Sequence, residues 1–176
     1  MKECVSMKKI GLIFVVLFAF CLSFVGCSET YRGTDELMAK ARMELPISGA
    51  DTIEMQFAGL CGADHKAIAW FISGNEYQAH YYLPMEVKTA SDASEYTFIR
   101  THKPMTDRAA DVAIVHWNGG YAFLVNNPQI ALVQMTMANG EVIEESVPQN
   151  ALPHLFFVSF VPSEYTFLDA EGNEVK

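Results

Sequence analysis

The stretch 112–125 constrains the fold more than any other. Apolar runs at 112–117 and 120–125 flank Asn118-Gly119, and Asn-Gly between two such runs is the strongest short-range signal for a two-residue β-hairpin. That loop predicts His116 opposite Tyr121, Ile114 opposite Phe123 and Val112 opposite Val125. Both faces of the hairpin are largely apolar, which predicts a place near the centre of the core rather than at its surface.

The rest of the chain follows the same short rhythm. A single amphipathic helix is expected over 35–45, with Thr34 as cap and Asp35 and Glu36 at the positive end of the dipole. Leu37, Met38, Ala41 and Leu45 share one side, and Pro46 discourages continuation. From Asp51 onward short apolar or alternating runs are broken by turn residues, the pattern of strands. The first is expected over 52–60. A hairpin of 66–73 with 76–82 across Gly74-Asn75 would set Trp70 opposite Ala79 and Ala69 opposite His80.

Pro84 then interrupts, and 88–94 and 103–111 read as polar loops on either side of a strand at 95–101. A further hairpin joins 130–137 to 141–147 across Asn139-Gly140, and strands are expected at 154–161 and 165–169. About ten short strands after one helix predict a mainly β chain, an antiparallel β-sandwich or barrel-like domain. One internal echo exists: Leu-Pro at 83–84 and at 152–153 is each followed by Ser-Glu-Tyr-Thr-Phe, at 94–98 and 163–167. Duplication and convergent strand composition both account for it.

The opening segment carries a different message. Lys8 and Lys9 precede an apolar run of 15 residues, 10–24, long enough for a secretory signal and short of the roughly 20 that a spanning helix needs. Phe24-Val25-Gly26-Cys27 follows. This arrangement resembles the lipobox of bacterial lipoproteins, with Phe24 where Leu, Val or Ile is usual. The resemblance implies cleavage after Gly26, lipid on Cys27, a lipidated tether over 27–33 and a single β-rich domain over 34–176. It places the protein outside the cytoplasm, anchored to the cell membrane by acyl chains, and two chains suffice for stable anchoring.

Charge narrows the partners. Segment 1–26 holds three of the chain's 12 basic residues and one of its 21 acidic ones, so the remainder carries 9 against 20, a net −11. No basic cluster is present, and nucleic acid has no electrostatic footprint to bind. Of four cysteines, only Cys61 falls within the expected domain, which excludes an intramolecular disulfide there.

Few residues point to chemistry. Cys61 and His65 flank Gly62-Ala63-Asp64, a spacing compatible with a zinc ligand pair or a thiol nucleophile and its base. No second Cys/His pair accompanies them, and a glycine-rich turn beside a buried thiol explains the stretch equally. His80, His102, His116 and His154 are scattered; a general-base site would need strands to bring His80 and His116 to an acid such as Asp111. Motifs for nucleotides, serine hydrolases and calcium are absent, so no catalytic, cofactor or metal residues are assigned.

Trp70, Tyr77, Tyr81, Tyr82, Trp117 and Tyr121 form a candidate aromatic platform for a glycan or peptide, with core packing as the alternative. These readings favour a non-catalytic binding or accessory module at the cell envelope, its partner an envelope protein, peptide or glycan. Two alternatives stand beside it: an extracellular hydrolase or thiol/metal-dependent enzyme using Cys61, His65 or the strand histidines, and a structural or inhibitory lipoprotein acting through loops 88–94 or 103–111.

Overall fold

The structure, a computed structural model, describes residues 29–46, 53–74, 80–91 and 94–175. The segment holding Phe24 to Cys27 lies outside them, as does Tyr77. The described residues form one helix and twelve strands. In chain order these are β1 (Thr30–Arg32), α1 (Gly33–Glu44), β2 (Met55–Ala63), β3 (Lys66–Ser73), β4 (Tyr81–Thr89), β5 (Glu95–Thr101) and β6 (Met105–Asp107). There follow β7 (Val112–Trp117), β8 (Gly120–Val125), β9 (Leu132–Thr136), β10 (Val142–Ser146), β11 (His154–Val158) and β12 (Glu164–Leu168).

The fold is mainly β, as expected, and its sheets are open. Sheet one has the order β1-β5-β4-β3-β2, sheet two β11-β8-β7-β6 and sheet three β10-β9-β12, with antiparallel pairing throughout. Side-chain alternation stacks them. On β3, Ala67, Ala69 and Phe71 face Leu37 and Ala41 of α1, while Ile68, Trp70 and Ile72 face Ala113, Val115 and Leu124 of sheet two. The other face of sheet two, with Ile114, Phe123 and Phe156, packs on Val133, Met135 and Phe167 of sheet three.

The order of layers is therefore helix, sheet one, sheet two, sheet three. Sheets one and two are covered on both faces, which is why β3, β7 and β8 read as continuous apolar runs rather than alternating ones.

The β7–β8 hairpin has the expected register: Val112↔Val125, Ile114↔Phe123 and His116↔Tyr121. Asn118 and Gly119 both adopt positive φ, 49° and 76°, the conformation that a two-residue hairpin of matching twist requires. Gly120 answers a packing need instead. A Cβ there would lie 1.8 Å from the carbonyl oxygen of Val158, so only glycine lets β8 lie against the end of β11.

Three expectations are corrected. The hairpin after β3 does not close at Gly74-Asn75: Trp70 pairs with Pro84 and Ala69 with Met85, and the strands meet at Ser73↔Tyr81. A turn at Gly74-Asn75 would leave Leu83, Met85 and Val87 outside the ladder. Their burial beneath α1 decides the register instead.

Pro84 does not interrupt β4. Its carbonyl accepts from the backbone N–H of His102 at 2.9 Å, beyond the last β4–β5 pair, Met85↔Thr101, so the missing donor forfeits one terminal rung. Segment 103–111, expected as loop, contains β6, the short edge strand of sheet two.

The helix begins one residue before Thr34 and ends at Glu44, with Leu37, Ala41 and Leu45 buried. Thr34 does not cap it: Arg32 holds the cap position without a side-chain cap hydrogen bond, and the Glu36 carboxylate reaches back to accept from the backbone N–H of Arg32 at 2.7 Å. The two Glu-Tyr-Thr-Phe copies occupy β5 and β12, but their surroundings differ. β4, which holds Leu83-Pro84, neighbours β5, whereas β11 and β12 lie in separate sheets. The echo thus repeats composition without repeating strand pairing.

Candidate functional site: a polar cleft at His80, Tyr82 and Asp111

The β7–β8 register, continued by one rung, sets Asp111 opposite Asn126. The backbone N–H of Asn126 donates to the Asp111 carbonyl at 3.0 Å. Asp111 holds φ at 51°, a left-handed conformation that Asp tolerates better than most side chains and that glycine would adopt more cheaply.

The Asp111 carboxylate gathers donors from two sheets. Tyr82, on β4, donates its hydroxyl to Oδ1. Asn126 donates from Nδ2 to Oδ2 at 3.1 Å. His80, immediately before β4, places Nδ1 at 3.2 Å from Oδ2 and 3.3 Å from Oδ1. An ionised carboxylate only accepts, so Nδ1 carries the proton of this contact and Nε2 is the ring nitrogen that Asp111 leaves for a ligand. The ring of His80 also meets Tyr82 edge-on, centroids 6.0 Å apart. Burial, reinforced by the hydrogen bond and charge of Asp111, raises the Tyr82 phenol above its ordinary range.

The cluster forms one wall of a cleft of about 450 Å³, lined also by Tyr81, Lys103, Pro104, Thr106 and Arg108. His80 and Asp111 are only partly exposed, at 22% and 31% of their side-chain surface. The arrangement holds a fixed imidazole beside two cationic side chains. Chemically it can orient a ligand hydroxyl or accept a proton from one. Among the described residues no group of three or more His, Cys, Asp or Glu side chains is placed to hold a metal ion.

The other sequence candidates fall elsewhere. Trp70, Tyr82 and Trp117 are buried at 0%, 4% and 4% exposure and lie between sheets one and two, so these three rings are not part of a surface platform; Tyr77 lies outside the described residues. Trp117 packs edge-on against Phe157, centroids 5.1 Å apart. Tyr81 is exposed and lines the cleft, while Tyr121 packs against the core shared by sheets two and three.

Cys61 is buried on β2, its sulfur accepting from Trp70 Nε1 at 3.3 Å. Burial pushes its thiol up to about 11. His65 is exposed in the β2–β3 turn, so the two do not pair as nucleophile and base.

Of the groups that a general-base site would need together, His80 meets Asp111 and His116 does not join them. His116 sits five residues beyond Asp111 along an extended strand, roughly 17 Å away, against Tyr121. His102 instead joins Arg100 at Glu86, which is buried at 6% exposure: His102 Nε2 lies 3.1 Å and Arg100 Nε 2.8 Å from its carboxylate. Burial works to raise the Glu86 carboxyl, and hydrogen bonds from Trp117, Arg100 and His102 outweigh it to hold the group below its ordinary range. His154 pairs with Glu145 at 3.0 Å.

Asn126 was not anticipated as a site group, although the hairpin register pointed to it. Tyr82 was named for its ring, and its hydroxyl is what joins the site. Comparison with protein-family models, curated proteins and solved structures returns no match for the chain.

Proposed function

We propose that this protein is a lipid-anchored extracytoplasmic binding module that receives a small ligand in the His80–Asp111 cleft. The lipobox-like Phe24-Val25-Gly26-Cys27 supports the anchor and the address. The observation that carries the binding reading is the preorganised carboxylate of Asp111, which holds the His80 ring at 3.2 Å in one orientation on the wall of the cleft. Preorganised polar groups in a concave, partly apolar site are what small-molecule recognition requires. Segment 103–111, which supplies Lys103, Thr106, Arg108 and Asp111, brings one of the two loops named from sequence into the same site.

The Asp111–His80 contact favours a second reading, a general base that deprotonates a bound hydroxyl through Nε2. Among the described residues the His80 ring has Asp111, Tyr82 and Asn126 as its partners, and neither Thr106 nor Lys103 of the same cleft is joined to it as a nucleophile to its base, so binding is the stronger reading. Chemical crosslinking in intact cells tests it, comparing the wild type with His80→Ala and Cys27→Ala. The proposal expects a captured species that His80→Ala abolishes. It also expects Cys27→Ala to leave the membrane fraction and to lack lipid mass on its mature N-terminus. Capture indifferent to His80→Ala removes the cleft reading, and unchanged membrane retention removes the anchor.

A further inference from the structure

We propose that the cleft selects a small sugar or polyol bearing an anionic group, a carboxylate or a phosphate. Lys103 and Arg108 hold the anion while a ligand hydroxyl meets His80 Nε2. The inference rests on the binding reading above and adds the chemistry of the ligand.

Charge carries the argument. Beyond Gly26 the chain has 9 basic residues against 20 acidic ones. Among the described residues Lys40 pairs with Glu29 and Glu44, Arg100 with Glu86 and Arg32 with Glu95. Lys103 and Arg108 line the same cleft and make no ion pair among the described residues. Two acids of segment 103–111, Asp107 and Asp111, are already engaged. Asp107 Oδ1 accepts from the backbone N–H groups of Ala109 and Ala110, both at 3.0 Å, and Asp111 accepts from Tyr82, Asn126 and His80.

Lack of an ion pair does not set these two apart, since Arg42, Lys66 and Lys88 also make none; their place does, because two cations lining one concave site are complementary to an anion. The remaining surfaces fit a hydroxylated carbon skeleton. Tyr81 and Pro104 offer apolar faces to C–H groups, and Thr106 and His80 offer hydrogen-bonding partners. The cleft volume, about 450 Å³, falls in the range of small-ligand sites.

The test titrates the full-length chain in detergent micelles with glucuronate, glucose 1-phosphate and glucose. Binding is read from the ¹⁵N signals of the His80 ring and by calorimetry. The expected result is that one or both anionic sugars move the His80 signals and bind at least about tenfold more tightly than glucose. The double variant Lys103→Gln/Arg108→Gln loses that preference about tenfold or more. A response to only one of the anionic sugars supports the proposal and identifies the anion.

Both substitutions are at exposed positions, and an unchanged melting temperature verifies the fold. Glucose binding as well as the anions, or undiminished binding by the double variant, overturns the anionic ligand while leaving the cleft as a binding site. No response to any of the three sugars overturns the ligand class. The cleft reading itself stands or falls separately, on whether His80→Ala abolishes capture in cells.

Discussion

Adjacent residues on β8 provide a direct test of the layered architecture. Phe123 and Leu124 are both fully buried, yet their side chains leave opposite faces of the strand: Phe123 enters the core shared with sheet three and Leu124 the core shared with sheet one. Phe123 stacks on Phe156 at a centroid distance of 4.6 Å and meets Tyr165 edge-on at 5.9 Å. Truncation to alanine removes these contacts and leaves a cavity that the flanking strands cannot close. Phe123→Ala should therefore cost about 3–5 kcal/mol and Leu124→Ala about 2–5 kcal/mol.

In urea, with a slope of about 2 kcal/mol per molar, each loss lowers the unfolding midpoint by about 1–2.5 M. Fluorescence of Trp70 and Trp117, both buried between sheets one and two, reports the transition. Val142→Ala is the control, since Val142 is 50% exposed and should change stability by less than about 0.5 kcal/mol. A sheet with one solvated face would tolerate one of the two core truncations. If either Phe123→Ala or Leu124→Ala unfolds within about 0.5 kcal/mol of wild type, the stacking of sheet two between its neighbours is wrong.

Two further substitutions probe the buried polar groups. Tyr82→Phe removes the hydroxyl that donates to Asp111; a hydrogen bond to a charged group contributes about 1.5–3 kcal/mol, and the partial exposure of Asp111 places the loss at the lower end. Because the Tyr82 phenol is raised on folding, its contribution is complete below about pH 10, the ordinary tyrosine value, and is lost as pH rises above it; thermal melts of Tyr82→Phe should fall less steeply above pH 10 than those of wild type. Glu86 behaves oppositely. Its carboxyl is lowered on folding from 4.5, so its contribution is present above that pH and lost as pH falls below it. Melts of Glu86→Gln between pH 3 and pH 6 should be flatter than wild type, and parallel curves would contradict the buried hydrogen-bonded cluster.

Much of the fold was legible because its signals are local. Asn118-Gly119 specified a register that continues to Asp111 and Asn126, and the strand at Glu95–Thr101 follows the sequence pattern to the residue. The β3–β4 register was not legible, since it depends on burying Leu83, Met85 and Val87 under a helix distant in sequence, and no local turn signal reports that contact.

The aromatic platform failed for a related reason. Trp70 and Trp117 carry the same ring chemistry whether they face solvent or another sheet, and only the stacking of sheet one on sheet two settles which. His80 was foreseen as needing an acid such as Asp111, but joining them required the packing of β4 beside the open end of the β7–β8 hairpin. Tyr82 was read as a surface ring because its hydroxyl partner lies 29 positions away.

The central claim is that the cleft at His80 is where the protein meets its ligand. A photoreactive phenylalanine analogue in place of Tyr81, which is 36% exposed and lines the cleft, tests it in intact cells against the same analogue in place of Val142, on the edge strand β10 of sheet three. Irradiation followed by mass measurement of the recovered protein should give a discrete adduct from position 81 that is absent from position 142 and lost when His80→Ala is combined with it. An equal yield from both positions, or an adduct at position 81 that survives His80→Ala, would contradict the claim.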